Sequence, residues 1–558
     1  MTGTLNRRDS LALLGGGALA SDSRLTPAPS GPTCREISAA AGSAGVTGFT
    51  FAELACRTLP VQAGRFASAG YDTPGVGSGD YLRCTGSGPF LATRWRRQSR
   101  DGQWFEKDER DVDLTHMGAR GGGKDDTEAL LAAFAWLNEQ PGRRLQVPRG
   151  SFATEQDLPI LTDSACLIGQ AHGRGEIVLA NGATIRVGRG LSQGKDREGR
   201  LLRTVPGKAL FPRIENIGLK ATGSHSQDCL VLEHADNAYL RLLDISHFKT
   251  ASGVRIGGVR TRWVQWTTLD HVFVNTNEVG LTIEMAHETD ENEDHFLIDA
   301  CQFYIGKQPV KDAQPACIRI ECMPGRTTPM WNFHVTGRTH FLGWKRADNP
   351  PATTGPIMTS GVMLVQPNDG CALRLATIRD AFFEDVSFPI DLRRQVTGAD
   401  VSVVNTQGCS FMEAHTVFSG RDWSKHGVTA ADNHYINGGF VCDGNIRTYH
   451  RGFNRMSGMK GFDRKDNISV HQWERKTLCL EGIQLEARGK VDVAPGQGGV
   501  TLRYDLSTPH AEECRPTSLI ASWPGADPYP VSITPKEAVI RFALSPAERG
   551  TLHYVIEA

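Results

Sequence analysis

Apolar and polar residues alternate through the middle of the chain, in short runs that follow one another. Examples are 230–233 (Leu-Val-Leu-Glu), 281–284 (Leu-Thr-Ile-Glu) and 318–321 (Ile-Arg-Ile-Glu). Because successive side chains of a β-strand point to opposite faces, each run predicts a strand with one apolar face. The pattern predicts an all-β domain built from many short strands.

Asn, Asp or Gly residues precede many of these runs at nearly regular intervals. Such a register predicts a solenoid whose coils stack about 4.8 Å apart and bury their apolar faces against one another. The aspartates resemble a catalytic column, but they share the register with Asn and Gly, which favours a turn device whose side chains bond local backbone. The column consists of Asn216, Asp244, Asp270, Asp299, Gly337 and Gly408.

A helix is predicted ahead of the solenoid. Asp125 or Asp126 can cap its first turn, and Asp125 has capping-box spacing from Glu128. An apolar stripe follows, and the sequence Gln-Pro-Gly at 140–142 ends the helix. The stripe consists of Leu130, Leu131, Phe134 and Leu137.

Two segments around this helix carry a family resemblance. Residues 118–129, Gly-Ala-Arg-Gly-Gly-Gly-Lys-Asp-Asp-Thr-Glu-Ala, and 147–152, Val-Pro-Arg-Gly-Ser-Phe, resemble the start of the solenoid in the pectate-lyase-like superfamily. Residues 70–81 and 94–97 are similar to segments that precede it in phage tailspike depolymerases. The resemblance implies a right-handed parallel β-helix with an N-terminal capping helix, and the similarity to tailspikes implies a homotrimer.

Composition and charge exclude several classes of function. Lys and Arg total 61 against 62 for Asp and Glu, a formal net charge of −1, whereas nucleic-acid binders usually carry a basic excess. The sequence contains no run of about 18 apolar residues, so no membrane-spanning segment is predicted. Arg7 and Arg8 precede a short apolar stretch that resembles a twin-arginine export signal, which predicts a periplasmic or secreted protein.

The chain divides into four predicted parts: an export signal over 1–30, an irregular segment over 31–112, the β-helix over 113–487 and a small C-terminal β-sandwich-like domain over 488–558. The last is expected from short strands separated by Pro and Gly turns. These strands are 500–504, 519–523, 539–542 and 552–556.

The 13 cysteines contain no Cys-x-x-Cys pair, so the sequence predicts neither a zinc site nor a regular disulfide framework. Some lie in apolar strands, where a thiol behaves as a small hydrophobe. These are Cys229, Cys301, Cys317, Cys409 and Cys442, whereas Cys34, Cys56 and Cys84 are candidates for disulfide pairing.

Carboxylates gather on one outer face of the predicted strands. Aligning residues 252–257 with the three runs named first places Arg255 and Arg319 in one outward column. Glu284 and Glu321 would lie one coil apart, which is close to the separation of the two carboxyl groups in retaining glycosidases. Asp228 and Glu278 would lie two coils apart, which is close to the carboxyl separation in inverting glycosidases. A solvated face of Arg and Glu cross-strand pairs is the alternative. The predicted catalytic residues are Asp228, Glu278, Glu284 and Glu321, with Glu233 in the same column as the last two.

Further residues have both a chemical and a structural interpretation. Trp263 and Trp266, near Arg262, can stack on sugar rings or simply pack. The acidic loop 287–295 can bind Ca²⁺ or be solvated, and no metal site or other cofactor is predicted. A lyase would need a base and a charge neutraliser, for which the candidates are His334, His340, Lys345 and Arg346.

These observations favour an exported enzyme that cleaves a polysaccharide or oligosaccharide. Hydrolysis by paired carboxylates is narrowly preferred. The first alternative is a lyase that cleaves a uronate polymer by β-elimination, with Arg255 or Arg319 as neutraliser. The second is a tailspike-like protein that binds glycans without cutting them. Neither a nucleic acid nor a membrane span is expected.

Overall fold

The structure is a computed structural model, and it describes most of the chain from residue 46 onward. The described residues are 46–85, 90–108, 112–170, 175–188, 209–223, 228–250, 257–262, 264–285, 294–306, 314–322, 329–343, 358–366, 373–394, 402–420, 427–444, 446–451, 454–457, 461–463, 470–473, 483–484, 486–495, 497, 499–503, 518–522, 528–533, 537–542 and 550–557. The predicted export signal lies outside them and stays a prediction.

Three long parallel sheets form a right-handed parallel β-helix, which confirms the predicted fold class. Each coil supplies strands to the sheets in turn. The first sheet contains Val112–Asp113, Arg144–Val147, Cys166–Gly169, Ala209–Leu210, Arg213–Glu215, Ala235–Asp236, Tyr239–Arg241, Gln265–Asp270, Asp294–Asp299, Phe333–Thr336, Ala376–Arg379, Val403–Gln407, Gly427–Ala431, Arg447–Arg451 and Val470–Trp473.

The second and third sheets follow the same order along the chain. The second contains Gly150–Thr154, Gly175–Ala180, Gly218–Gly223, Asp244–Thr250, Phe273–Thr276, Gln302–Ile305, His340–Leu342, Phe382–Glu384, Ser410–Met412, His434–Ile436, Asn454–Ser457 and Ile483–Gln484. The third contains Leu158–Ile160, Ile185–Val187, Leu230–Glu233, Val259–Arg262, Val279–Met285, Ala316–Cys322, Ser360–Gln366, Phe388–Arg394, Thr416–Gly420, Phe440–Gly444 and Gly461–Asp463.

The capping helix spans Thr127–Glu139, and it buries Leu130, Phe134 and Leu137 of the predicted stripe against the first coils. The predicted capping box is wrong, because the Glu128 side chain forms an ion pair with Arg94 instead. The N-cap position is Asp126, whose side chain makes no capping hydrogen bond, but the preceding Asp125 carboxylate accepts a hydrogen bond of 3.0 Å from the Thr127 N–H at the helix start.

The core inside the coils contains a column of stacked aromatic rings on the second sheet. The centroid of the Phe383 ring lies 4.4 Å from that of Phe341 and 5.0 Å from that of Phe411, with near-parallel planes. Phe303 and Tyr435 extend the column at its two ends. One buried ring per coil fixes the register of neighbouring coils, because a shift by one residue would turn every ring outward.

The corner between the first and second sheets confirms part of the predicted turn column. Asn216, Gly337 and Gly408 have φ values of 58°, 69° and 64° there, which is the left-handed conformation that Asn and Gly tolerate best. A Cβ atom at Gly337 would lie 2.0 Å from Oδ1 of Asp299, so this corner position also has no room for a side chain.

None of the three aspartates occupies that corner position, and the predicted common register holds only for Asp270 and Asp299, which pair directly on adjacent strands. Asp270 and Asp299 end strands of the first sheet, and Asp244 begins a strand of the second. Their carboxylates bind side chains rather than only local backbone. The partners are Lys220 at 2.6 Å for Asp244, the Tyr239 hydroxyl at 3.0 Å for Asp270 and the Thr336 hydroxyl at 2.9 Å for Asp299.

Other elements flank the solenoid. A five-stranded sheet precedes it and contains Val46–Thr47, Arg65–Ser68, Gly79–Arg83, Arg96–Gln98 and Trp104–Lys107, accompanied by the 3₁₀-helices Ala52–Cys56 and Leu114–Met117. Met330–Trp331 and Leu373–Arg374 form a separate two-stranded sheet. Among the described residues, no helix is long and apolar enough to cross a membrane.

Two three-stranded antiparallel sheets follow the solenoid, as expected for the C-terminal β-sandwich-like domain. Val493 and Leu552 of one sheet and Ile540 of the other are buried in the same apolar cluster. The sequence predicted neither the strand Glu486–Val493 nor the strand Pro528–Ile533. The first sheet contains Glu486–Val493, Ser518–Ser522 and Gly550–Glu557, and the second contains Gly499–Arg503, Pro528–Ile533 and Glu537–Phe542.

The five cysteines expected to act as small hydrophobes are all buried. Burial raises the pKa of the Cys229, Cys301 and Cys409 thiols to about 12. Among the pairing candidates, Cys84 is disulfide-bonded and Cys56 is a free, exposed thiol, whereas Cys34 lies outside the described residues. Cys322 is disulfide-bonded as well.

Candidate functional site

The outer face of the third sheet carries two columns of charged side chains, which we call the carboxylate face. Strand pairing places Glu284 directly beside Glu321 and Thr282 beside Arg319, as the sequence predicted. The first column is Arg186, Val231, Arg260, Thr282, Arg319, Met363, Asp391 and Ser419. The second is Glu233, Arg262, Glu284, Glu321, Val365 and Arg393.

The strand between Leu230–Glu233 and Val279–Met285 is not the predicted one. The chain places Val259–Arg262 there, so Arg260 occupies the column position assigned to Arg255. Arg255 itself lies outside the described residues. Close packing selects this register, because a Cβ atom on Gly257 would lie 1.9 Å from Oδ1 of Asp228 and one on Gly258 would lie 2.2 Å from the Gly280 carbonyl oxygen.

Arg260 joins two of the predicted catalytic carboxylates. Its Nε donates to Oδ2 of Asp228 over 2.6 Å, and its terminal nitrogen donates to Oε1 of Glu284. The second Glu284 oxygen accepts from Nε of Arg262 at 2.5 Å. Only 9% of the Asp228 side chain and 6% of the Glu284 side chain are exposed. Asp228, Arg260, Glu284 and Arg262 therefore form one ion network across three adjacent coils, in which the carboxylates are buried and the arginines are about a third exposed.

The charges in this network reinforce each other. Burial alone would lower the pKa of the Arg260 guanidinium, but the carboxylates of Asp228 and Glu284 more than offset that effect and raise it above its ordinary value. Glu284 is held between two arginines, which hydrogen-bond both of its carboxylate oxygens.

Glu321 differs from its neighbour Glu284 in exposure. About a third of its side chain, 32%, is exposed, and Nη2 of Arg319 donates to Oε1 over 3.2 Å. Glu278 is buried just ahead of the strand Val279–Met285. The structure therefore brings Asp228, Glu284 and Glu321 onto one face, with Glu321 as the accessible member.

A second ion cluster on this face was missed by the sequence analysis. The Asp391 carboxylate accepts from Arg393, at 2.7 Å, and from the Ser360 hydroxyl at 2.8 Å. Arg393 also donates to the Gln314 side chain at 2.6 Å. The signal was present, since Ile390, Asp391, Leu392 and Arg393 alternate as the Leu-Thr-Ile-Glu run does.

Other predicted residues lie elsewhere. Trp266 belongs to the first sheet, at its corner with the third, and not to the carboxylate face. His334 points outward from the first sheet, and His340 lies on the second sheet beside Glu384, so the two histidines belong to different faces. Trp263, Lys345 and Arg346 are outside the described residues. So is most of the acidic loop, and within the described part of the chain no cluster of metal-binding side chains occurs.

No protein-family model and no curated protein matches the sequence. Among solved structures, the chain is similar to tailspike protein 2 of the Escherichia coli O157:H7 bacteriophage CAB120, with a TM-score of 0.49 and 11% identity over 91% of this chain and 71% of that one. The tailspike gp49 of the Acinetobacter baumannii bacteriophage Fri1, a capsular polysaccharide depolymerase, aligns with a TM-score of 0.37 and 10% identity over 92% and 98%. The fold assignment stands on this chain's own stacked sheets.

Proposed function

We propose that the chain is a polysaccharide depolymerase that hydrolyses glycosidic bonds on its carboxylate face. One observation carries the proposal. Glu284 and Glu321 are lateral partners on adjacent strands, one enclosed by arginines and the other partly exposed. Glycoside hydrolysis needs two carboxyl groups with opposite protonation states at close range, and this pair supplies two different environments.

The environments suggest a role for each residue. Glu321 would protonate the oxygen of the leaving sugar, while Glu284 attacks the anomeric carbon and forms a glycosyl ester. Water activated by Glu321 would then release the sugar from Glu284. Carboxylate oxygens offer about four lone-pair sites, so the bonds from Arg260 and Arg262 leave acceptor capacity on Glu284.

Strand spacing implies the stereochemical outcome. Neighbouring strands lie about 4.8 Å apart, and retaining glycosidases hold their carboxyl groups about 5–5.5 Å apart. The products should therefore keep the anomeric configuration of the substrate, which ¹H NMR of the fresh reaction mixture would detect.

The composition of the face supports hydrolysis over β-elimination. In the described strands of the third sheet, neither outward column contains a lysine, histidine or tyrosine, so among these column residues only an arginine could act as the base of a lyase. Arg319 remains a candidate to neutralise a uronate in that case.

A polysaccharide panel tests the proposal with two readouts, reducing ends and absorbance near 235 nm. The wild-type chain should release reducing ends without absorbance. Glu321→Gln should lower kcat by about 10²–10⁴-fold, the usual contribution of a general acid. Glu384→Gln is the control, since Glu384 has a similar exposure, 27% of its side chain, on the second sheet and should retain full activity. Absorbance at 235 nm would instead establish a lyase.

Binding without cleavage is the second candidate function. It is favoured by the ion pairing of both Glu284 oxygens, because a face of satisfied salt bridges is stable without any substrate. A wild-type chain that binds a polysaccharide and cuts none would support this function. In that case Glu321→Gln would alter neither readout.

A further inference from the structure

A column of unusual residues marks the corner where the chain turns from the third sheet into the first. Six successive coils each contribute one non-glycine residue with φ between 54° and 63°, in the left-handed region. Asn tolerates this conformation, whereas Phe, Trp and Leu are disfavoured there. We call these residues the corner column, and they are Phe211, Asn237, Trp266, His295, Asn332 and Leu375.

The bulky side chains of the corner column are exposed and do not contribute to the apolar core. Phe211 and Trp266 are each 53% exposed, and Leu375 is 58% exposed. A side chain that stays in water contributes little to folding through burial, and the left-handed backbone is an additional cost. Exposed aromatic side chains in a disfavoured conformation, aligned along the axis, are typical of a binding surface.

The middle of the corner column is already ordered. The Trp266 ring stacks on His295 with a centroid separation of 3.6 Å and an angle of 14°. The His295 ring nitrogen Nε2 lies 2.8 Å from the Asn332 side-chain amide. A preformed wall of this kind loses little conformational freedom when a ligand binds.

A cleft with a volume of about 760 Å³ adjoins the column on the outer face of the first sheet. Phe211 and Asn237 form its border with the column, and Arg144, Arg213 and Tyr239 line it as well. The Arg213 guanidinium lies 5.4 Å from the centre of the Tyr239 ring and pairs with Glu215 at 2.8 Å. Two arginines against one paired glutamate leave the cleft with a positive balance.

We propose that the corner column and this cleft bind an acidic oligosaccharide, in a groove separate from the carboxylate face. Aromatic rings match the apolar faces of sugar rings, side-chain amides match hydroxyl groups, and arginines match carboxylates. Because contacts repeat at each coil, about every 4.8 Å, the glycan would run parallel to the solenoid axis. This groove goes beyond the proposed depolymerase site and does not depend on it.

Calorimetric titration tests the groove with defined probes: hexasaccharides of galacturonate and of hyaluronan as acidic ligands, and cellohexaose as a neutral one. At least one acidic probe should bind ten-fold more tightly than cellohexaose. Trp266→Ala should weaken that binding at least ten-fold, and Arg144→Ala should remove the preference for the acidic probe. Leu91→Ala, which truncates a 74% exposed side chain in the N-terminal part, should change nothing.

Several results would overturn the proposal. One is the absence of binding for both acidic probes at millimolar concentration, and another is an unchanged affinity in Trp266→Ala. A third is a change of the sedimentation coefficient in that variant, which would indicate that the corner column is a contact between copies of the chain. Glu321→Gln separates the two sites. It should slow cleavage by about 10²–10⁴-fold and leave acidic-probe binding intact, so failure of one proposal does not imply failure of the other.

Discussion

Nε of Arg260 lies 2.6 Å from Oδ2 of Asp228, although the two residues are 32 positions apart in the chain. The contact joins neighbouring coils, and the same guanidinium continues to Glu284 in the coil beyond. A single arginine therefore pairs with carboxylates of both neighbouring coils. The face combines the chemistry proposed for it with a structural role in holding three coils together.

Replacing Arg260 by methionine should destabilise the protein strongly. The change leaves the buried Asp228 and Glu284 without their shared partner, and breaking a buried ion pair typically costs about 3–5 kcal/mol. Urea denaturation followed by far-UV circular dichroism would measure the loss in free energy of unfolding.

Arg186→Met is the matched control for that experiment. Arg186 occupies the same column and is exposed to a similar extent, 41% against 37% for Arg260, but its partner Asp157 is 44% exposed whereas Asp228 and Glu284 are buried. Exposed pairs contribute about 0–1 kcal/mol. Equal effects of the two substitutions would contradict the structural importance assigned to the Arg260 network.

The stacked rings of the second sheet give a prediction about the core. Phe383→Ala should lower the free energy of unfolding by about 3–5 kcal/mol, because it removes a fully buried ring that stacks on both sides. Its sequence neighbour Phe382 is only half-buried on the outer face, so Phe382→Ala should cost clearly less. Comparison of the two variants by thermal unfolding checks the assigned strand register, and the reverse order would place the rings on opposite faces from those described.

Two histidines predict how stability depends on pH. Burial lowers the pKa of His334, as do the charges of Arg379 and His295, and burial and Arg455 lower that of His434. The unfolded chain therefore takes up protons first, and stability should fall as pH drops below the usual histidine pKa of about 6.5. The melting temperature at about pH 7.5 and about pH 5.5 measures this fall across that pKa.

The double variant His334→Gln, His434→Gln identifies the source of this dependence. It should lose less stability than the wild type over the same pH interval, since neither glutamine titrates. An unchanged pH dependence in the double variant would show that other groups are responsible.

The cysteines should differ sharply in reactivity. Since the thiolate is the nucleophile, the Cys229, Cys301 and Cys409 thiols should resist alkylation in the native protein, whereas the exposed Cys56 should react. Peptide mass spectrometry after brief iodoacetamide treatment would locate the labels, with a urea-unfolded sample as the positive control. Labelling of Cys301 as fast as that of Cys56 in the native state would contradict its burial.

The sequence predicted the register of a strand correctly where its alternation of apolar and polar residues allows only one alignment with the neighbouring strand. Leu281 and Ile283 align with Ile318 and Ile320, and this places Glu284 beside Glu321. It was insufficient between 252 and 262, where two consecutive stretches alternate equally well. The choice there depends on backbone contacts near Gly257 and Gly258, which a pattern of apolar residues does not contain.

The pairing of charged side chains also depends on strand register and could not be predicted from the residue pattern alone. Sequence identified Asp228, Glu284 and Arg319 by residue type and position, but the partner of Asp228 comes from the next coil and depends on the register. The sequence offered Trp266 as a residue that stacks on sugars or packs, without a sheet assignment, and the corner after the strand Val259–Arg262 places it on the first sheet. Neighbourhood along a solenoid coil does not imply a shared face.

The parallel pairing of whole strands also has an evolutionary consequence. Glu284 and Glu321 remain side by side regardless of how many residues separate their strands, because the ladder fixes the neighbours and the connecting segment does not. Segments inserted between coils can then be lengthened, exchanged or lost while the scaffold keeps its register. Such a molecule can acquire a new ligand specificity by changing its connections alone, without a new fold.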